Sequence, residues 1–188
     1  VFKNNSSQPT EYVAFNEIKA PFGSKSEIKL PDGTLVMLNS GSTIKYRNDF
    51  NLSNRDLILT GEAYFKVAKN VNLPLNVNTG KITIKAVGTE FNVKAYDDER
   101  IIETTLVEGK VEISQSEQNR EKKQYLGLLP DQKAIYLKES GSFTLENIEP
   151  IDSLEIQPSN TILENIIISP GIEVDKIIAW TQGKLILR

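Results

Sequence analysis

The chain has neither histidine nor cysteine in its 188 residues, so carboxylates, lysines and tyrosines are what remains to move a proton. That composition closes the Ser-His-Asp triad, the imidazole zinc site, the iron facial triad, the thiolate nucleophile and any disulfide framework. The lack of cysteine suits cytosol and periplasm alike. Glu62 is the best-placed carboxylate, in the middle of a long alternating stretch. A glycosidase would need a second carboxylate at a set separation across a cleft, and Glu90 and Asp97 are the candidates. Against that chemistry, Glu62, Glu90 and Glu108 are followed two or four positions on by Lys66, Lys94 and Lys110 respectively, and alternating Glu and Lys on an outward strand face are ordinary sheet decoration. The expectation is that these glutamates face solvent or pair with those lysines.

Other constellations are weaker. Asp97-Asp98-Glu99 gathers oxygens that suit a hard cation, but it lacks the glycine and ligand periodicity of a calcium loop and reads as a solvated acidic turn. Arg120 with Lys122-Lys123 is diluted by Glu117 and Glu121 and reads as a solvated loop. With 22 basic and 25 acidic residues, net charge -3, there is no electrostatic footprint for nucleic acid. Val87-Gly88-Thr89 and Glu108-Gly109-Lys110 lack the spacing of a phosphate-binding loop. No cofactor or metal site follows from the sequence. Trp180, the single tryptophan, is the candidate partner contact. Lying between Ile177-Ile178 and Leu185-Ile186, it reads first as the seat of the chain end.

The elements that would position these residues are strands. From Leu57 to Val67 the odd positions are apolar or small (Leu57, Leu59, Gly61, Ala63, Phe65, Val67) and the even ones polar or amphipathic, which specifies a strand with one buried face. Gly61 followed by Ala63 marks a place where that face narrows or bends against something packed closely. Upstream, Glu27 to Leu30 runs into Pro31-Asp32-Gly33, where Pro31 presets φ, Asp32 tolerates the second central position and Gly33 supplies a positive φ. This predicts a hairpin into Thr34–Asn39, with further strands over Tyr12–Lys19, Thr43–Tyr46 and Leu75–Val77.

Two parity switches follow. Ile82, Ile84 and Ala86 give way to Val87, Thr89, Phe91, Val93 and Ala95, and Ile102, Thr104 and Leu106 give way to Val107, Gly109, Val111 and Ile113. Each slip by one residue turns side chains to the other face and predicts a bulge or corner. Gly61, Gly88 and Gly109 each lie early in or next to a strand of one-sided pattern, the latter two at these switches, and a glycine there lets a strand bend and change sheets. Residues 115–124 are polar and predict a mobile hairpin tip. Beyond come short strands over 134–137 and 143–145, weaker ones at 154–156 and 166–168, a helical turn from Asp175 to Trp180 and a strand over 184–187. The chain is therefore all-β with little helix, either a strongly twisted β-sandwich or a β-helix-like stack of short strands.

The alternating stretch, as Leu59-Thr60-Gly61-Glu62-Ala63-Tyr64-Phe65-Lys66-Val67, resembles the signature of the FecR family. Further pieces follow in that family's order. They are Ser26-Glu27-Ile28 into Leu30-Pro31-Asp32-Gly33-Thr34, Leu38 to Ser42, Val87-Gly88-Thr89-Glu90-Phe91-Asn92-Val93, Leu106 to Val111, and Leu129-Pro130-Asp131-Gln132 with Asp131 in place of the usual glycine. Ala179-Trp180 with Gly183 and Leu185 is similar to the junction after the domain in Bacteroidetes members. The residues that carry the resemblance, Pro31, Asp32, Gly33, Gly61, Glu62, Ala63, Phe65, Gly88, Thr89, Phe91 and Gly109, are expected to be architectural.

That resemblance implies the periplasmic sensory domain of an inner-membrane, single-pass anti-sigma factor. Such a protein relays the state of a TonB-dependent outer-membrane transporter, through the transporter's periplasmic signalling domain, to a cytoplasmic extracytoplasmic-function sigma factor. It also implies a layout: residues 1–11 as the linker after a membrane helix, 12–174 as the domain, and 175–188 as the start of a C-terminal domain similar to a transporter signalling domain. Within the sequence itself no stretch approaches 18 apolar residues and no signal peptide opens the chain, so the expectation is a protein soluble as it stands or cut from something larger. No catalytic activity and no nucleic-acid partner are expected. The rival from another class is a secreted carbohydrate-binding or adhesion β-module.

Overall fold

The computed structural model describes residues 14–116 and 125–148. The predicted linker, the tip of the 115–124 loop, the weak strands at 154–156 and 166–168, the turn at Asp175 and Trp180 lie outside the described residues.

The described residues form a single mixed sheet of 13 strands, curled into a half-barrel. The strands are β1 (Phe15–Lys19), β2 (Ser26–Lys29), β3 (Leu35–Leu38), β4 (Thr43–Arg47), β5 (Asp56–Lys66), β6 (Leu75–Asn78), β7 (Ile82–Ala86), β8 (Glu90–Ala95), β9 (Ile101–Glu108), β10 (Val111–Gln115), β11 (Tyr125–Leu128), β12 (Gln132–Leu137) and β13 (Ser142–Asn147). The all-β expectation holds, and the strands pair mostly antiparallel. β5 with β6 is the parallel pair.

The sheet has two halves that share β5. One half runs β1-β4-β5-β6-β7-β10-β11 and the other β2-β3-β5-β8-β9-β12-β13. Residues Asp56 to Thr60 pair with β4 and β6, while Gly61 to Lys66 pair with β3 and β8. Around this shared strand the hairpins alternate between halves, so the chain crosses from one to the other repeatedly. The parity switches seen in the sequence are these crossings. Val87-Gly88-Thr89 is the corner from β7 to β8. At the end of β9, Glu90 faces Glu108 and Phe91 faces Leu106, so Val107 is the extra residue of a bulge just before the chain crosses at Gly109 to β10.

Inward positions of both halves meet in one hydrophobic cluster that includes Leu57, Leu59, Ala63 and Phe65 of β5, Ile44, Val77, Ile84 and Ile113 on one side, and Val36, Phe91, Val93, Ile102 and Leu106 on the other. Phe65 and Phe91 are directly opposed and stacked, their ring centroids 5.1 Å apart. Burying each such large side chain contributes about 1.5–3 kcal/mol.

Gly61 is where β5 leaves one half for the other. Its φ is +95°, and a Cβ built there would lie 2.7 Å from the Cα of Ser42. The bend takes the Glu62 N–H out of reach of a neighbouring strand, and it donates instead to Ser42 Oγ at 2.8 Å. Gly61→Ala is therefore expected to destabilise the domain by at least about 3 kcal/mol, because strain at positive φ and collision with backbone add. Gly80, also at positive φ (+83°) but with nothing within 4 Å, is the control: Gly80→Ala should cost about 1 kcal/mol. Urea-unfolding midpoints of the two variants measure the difference, and equal shifts would show that close packing at Gly61 contributes nothing.

Candidate functional site

Three polar assemblies are built on this frame. The most buried joins Asp32 to Arg55, which are almost wholly removed from solvent and form an ion pair. Arg55 stands two residues before Leu57, so strand alternation turns it inward with Leu57 and Leu59. Its Nε donates to Asp32 Oδ2 (2.7 Å), Nη1 to the Leu73 carbonyl (2.9 Å), and Nη2 to the Ala68 carbonyl (2.9 Å) and Thr34 Oγ1 (3.2 Å). Asp32 also accepts from the Thr34 N–H (2.9 Å) and hydroxyl (2.7 Å), closing the Pro31-Asp32-Gly33 turn. A buried charge keeps its place only when its hydrogen-bonding capacity is met, and removing one partner of such a pair costs about 3–5 kcal/mol. The turn aspartate is thus the counter-ion that lets an arginine sit in the core.

The second assembly lies on the outward face of the half that holds β8. Glu62 Oε2 accepts from Asn39 Nδ2 at 2.7 Å and Glu62 Oε1 from Asn92 Nδ2 at 2.9 Å. Next to it on β5, Tyr64 donates to Glu90 Oε2 at 2.8 Å, while Lys66 pairs with Glu90 Oε1 at 2.5 Å. The expected partners differ here from the observed ones. Glu62 meets two amides rather than Lys66, and Lys66 reaches its cross-strand neighbour Glu90, because directly opposed residues on adjacent strands are closer than residues four apart on one strand. Lys94 pairs with Glu99 (2.6 Å), so the acidic turn Asp97-Asp98-Glu99 supplies a counter-ion.

The third assembly is Lys133, buried on the same face between Glu103 (3.5 Å) and Glu146 (2.8 Å). Sequence reading missed Arg55, Asn39, Asn92 and Lys133. Arg55 was detectable from its parity. Asn92 and Lys133 occupy outward positions whose burial comes from neighbours on other strands, which no local pattern announces.

Two of the three carboxylates weighed for glycosidase chemistry, Glu62 and Glu90, are committed to the sheet. Both oxygens of Glu62 accept amide hydrogens. The hydrogen bond from Lys66 holds the Glu90 carboxyl below the usual carboxylate range, burial opposing and Tyr64 assisting, which is the wrong direction for a general acid. Burial, with Glu90 adding to it, pushes the Tyr64 phenol well above its ordinary range. Asp97 is exposed. Of the other residues carrying the resemblance, Ala63, Phe65 and Phe91 are in the core, Gly88 and Gly109 are at crossings, and Thr89 is buried. Pro31 opens the turn closed by Gly33 N–H to the Leu30 carbonyl (2.9 Å).

Fold and site together define a curled all-β domain whose outward carboxylates serve the sheet's own hydrogen bonds. Comparison with protein families takes this one step further: the model of the FecR protein family matches residues 16–112, just over half of the chain, and the chain belongs to that family. No curated protein matches it by sequence. Among solved structures it is similar to two crystal structures of candidate anti-sigma factors from Parabacteroides distasonis ATCC 8503. One is 27% identical with a TM-score of 0.70, covering 93% of this chain and 68% of the other. The second is 28% identical with a TM-score of 0.69, covering 92% of this chain and 68% of the other.

Two outcomes check the outward network. Glu62→Gln should change stability by less than about 1 kcal/mol, because the Asn92 carbonyl oxygen, buried without a partner, can turn to accept from the new amide; Glu62→Ala, which strands both asparagines, should cost about 2 kcal/mol. Equal losses would show that the carboxylate is not what the amides require. For Glu90 the sign is fixed by its lowered pKa. Its contribution is complete above the ordinary carboxylate range and is lost as pH falls through the folded value. The urea midpoint should drop on acidification below about pH 4, and that part of the drop should be absent in Glu90→Gln. An unchanged acid profile would remove the Lys66–Glu90 pair from the pH dependence.

Proposed function

We propose that this chain is the periplasmic sensory part of an anti-sigma factor, and that its parent relays the state of a TonB-dependent outer-membrane transporter to a cytoplasmic extracytoplasmic-function sigma factor. The observation that carries this reading is FecR-family membership together with likeness, over more than nine-tenths of the chain, to candidate anti-sigma factors. Among the described residues no helix is long and apolar enough to cross a membrane. On this reading the anchor belongs to the parent, with residues 1–11 leading from it, 12–174 forming the sensory domain and 175–188 opening a C-terminal signalling-like domain in which Trp180 meets a partner. The domain acts without catalysis: a sensor needs a surface whose affinity differs between two partner states.

A carbohydrate-binding reading has one observation in its favour. The outward face of the half holding β6 forms a trough of about 620 Å³ where Phe15, 54% exposed, stands near Asn76, Asn78, Thr83 and Ser114. Titration calorimetry separates the two. The chain, or a form extended through the C-terminal domain, should bind the periplasmic signalling domain of the transporter encoded beside it, saturably and at equal stoichiometry. Absence of binding by both forms would sink the sensory reading, and glycan binding lost in Phe15→Ala would put the trough in its place.

A further inference from the structure

Several cations on the described surface are already paired. Lys45 meets Glu17, Arg47 meets Asp49, Lys66 meets Glu90, Lys94 meets Glu99, and Lys133 meets two glutamates. Three lysines with no ion pair among the described residues, Lys69, Lys85 and Lys110, line one open cleft of about 430 Å³. The cleft lies where the chain crosses between halves, so the two tripeptides that lack phosphate-loop spacing in the sequence come together here. Val87 and Val111 supply apolar wall, and Glu112 is the one carboxylate in the lining.

Glycines leave room for the lysine stems. A side-chain carbon at Gly88 would stand 3.0 Å from Cβ and Cγ of Lys69, and one at Gly127 would stand 4.0 Å from Cε of Lys110. Thr89, also in the lining and itself buried, has a hydroxyl with no hydrogen-bond partner. In a chain of net charge -3 this lining sets three lysines against one carboxylate, a local excess of positive charge.

We propose that this cleft is a docking site for an acidic peptide segment of a partner protein, whose carboxylates meet Lys69, Lys85 and Lys110 while its aliphatic side chains rest on Val87 and Val111. Several features favour a peptide over a small anion. The ammonium groups are exposed and come from three separate segments, so each holds a lone anion weakly, whereas a chain carrying several carboxylates gains from all three at once. Lysine ammoniums are point charges that suit scattered carboxylates, and the cleft has no arginine fork for bidentate grip of phosphate. The inference names a surface that the sensory reading leaves open, but binding at it does not require that reading.

The test titrates the full 188-residue chain with a synthetic peptide of alternating glutamate and valine, followed by fluorescence anisotropy. Binding should saturate and weaken as salt is raised. Lys69→Gln/Lys85→Gln/Lys110→Gln should lose about tenfold or more in affinity with an unchanged thermal melt, while Lys29→Gln/Arg100→Gln, which removes two other unpaired surface cations, should bind as the parent does. Equal affinity of the triple variant overturns the proposal. So does displacement of the peptide by inorganic phosphate at the same concentration, which would make the cleft a small-anion site. A chain that binds the peptide but no transporter domain keeps the cleft and loses the sensory reading. A triple variant that binds the transporter domain normally but also keeps the peptide loses only the cleft.

Discussion

One strand has to belong to two half-sheets, and the domain is arranged to make that possible. β5 pairs with β4 and β6 along its first part and with β3 and β8 along its second, so the direction in which its backbone hydrogen bonds point must change within a few residues. Gly61 supplies the dihedral, but a bend of this kind also strips a backbone N–H of its ladder partner, and a buried donor left unpaired is costly. Ser42 answers both requirements. Its hydroxyl accepts the Glu62 N–H, and its backbone occupies the space that any side chain at Gly61 would need. The Asn39 N–H donates to the Glu62 carbonyl, so the turn that carries the chain from β3 to β4 is tied across the bend it covers.

The Asp32–Arg55 pair performs a related task at the other end of the same strand. It links the β2–β3 turn of one half to the residue just before β5 in the other, and its remaining donors reach the carbonyls of Ala68 and Leu73 in the segment between β5 and β6. An apolar pair of equal volume would pack as well and cost less to desolvate. It would not discriminate between registers, since any inward apolar side chain could replace it. A guanidinium that needs one carboxylate, one hydroxyl and two carbonyls in fixed places admits one arrangement of turn, strand start and loop. On these grounds the pair is read as a specificity device more than a source of stability.

The sequence made the local part of this plan legible. Alternation from Leu57 to Val67 corresponds to β5, and the buried odd positions are those expected. The two parity slips correspond to the corner at Gly88 and the bulge at Val107. What could not be read is which strands meet. Membership of β5 in both halves depends on partners up to about thirty residues away on either side, and no pattern within β5 states them. The same limit hid the polar assemblies. Asp32 looked like a turn residue because its counter-ion lies at position 55, and Glu62 looked solvent-facing because its amide partners lie at 39 and 92. Lys69, Lys85 and Lys110 are single charges in the sequence and become a cluster through the crossings.

The tightness of this architecture bears on how a sensor built from it would work. Its core is continuous across both halves, its strand exchange is pinned by Ser42, and its buried arginine is held by a carboxylate, a hydroxyl and two carbonyls, so each of these described elements is tied to one arrangement. Signals that pass through a domain by internal rearrangement need a bistable element. On the sensory reading, a core tied in this way leaves a partner's state to be read at the surface, through which residues the partner presents and how strongly they bind. The crossings are where that surface is least committed, because there the backbone leaves the ladder and lysines stand without counter-ions. On the sensory reading, the feature that makes the fold possible, a chain that repeatedly changes sheets, is also what leaves part of its surface free for a partner.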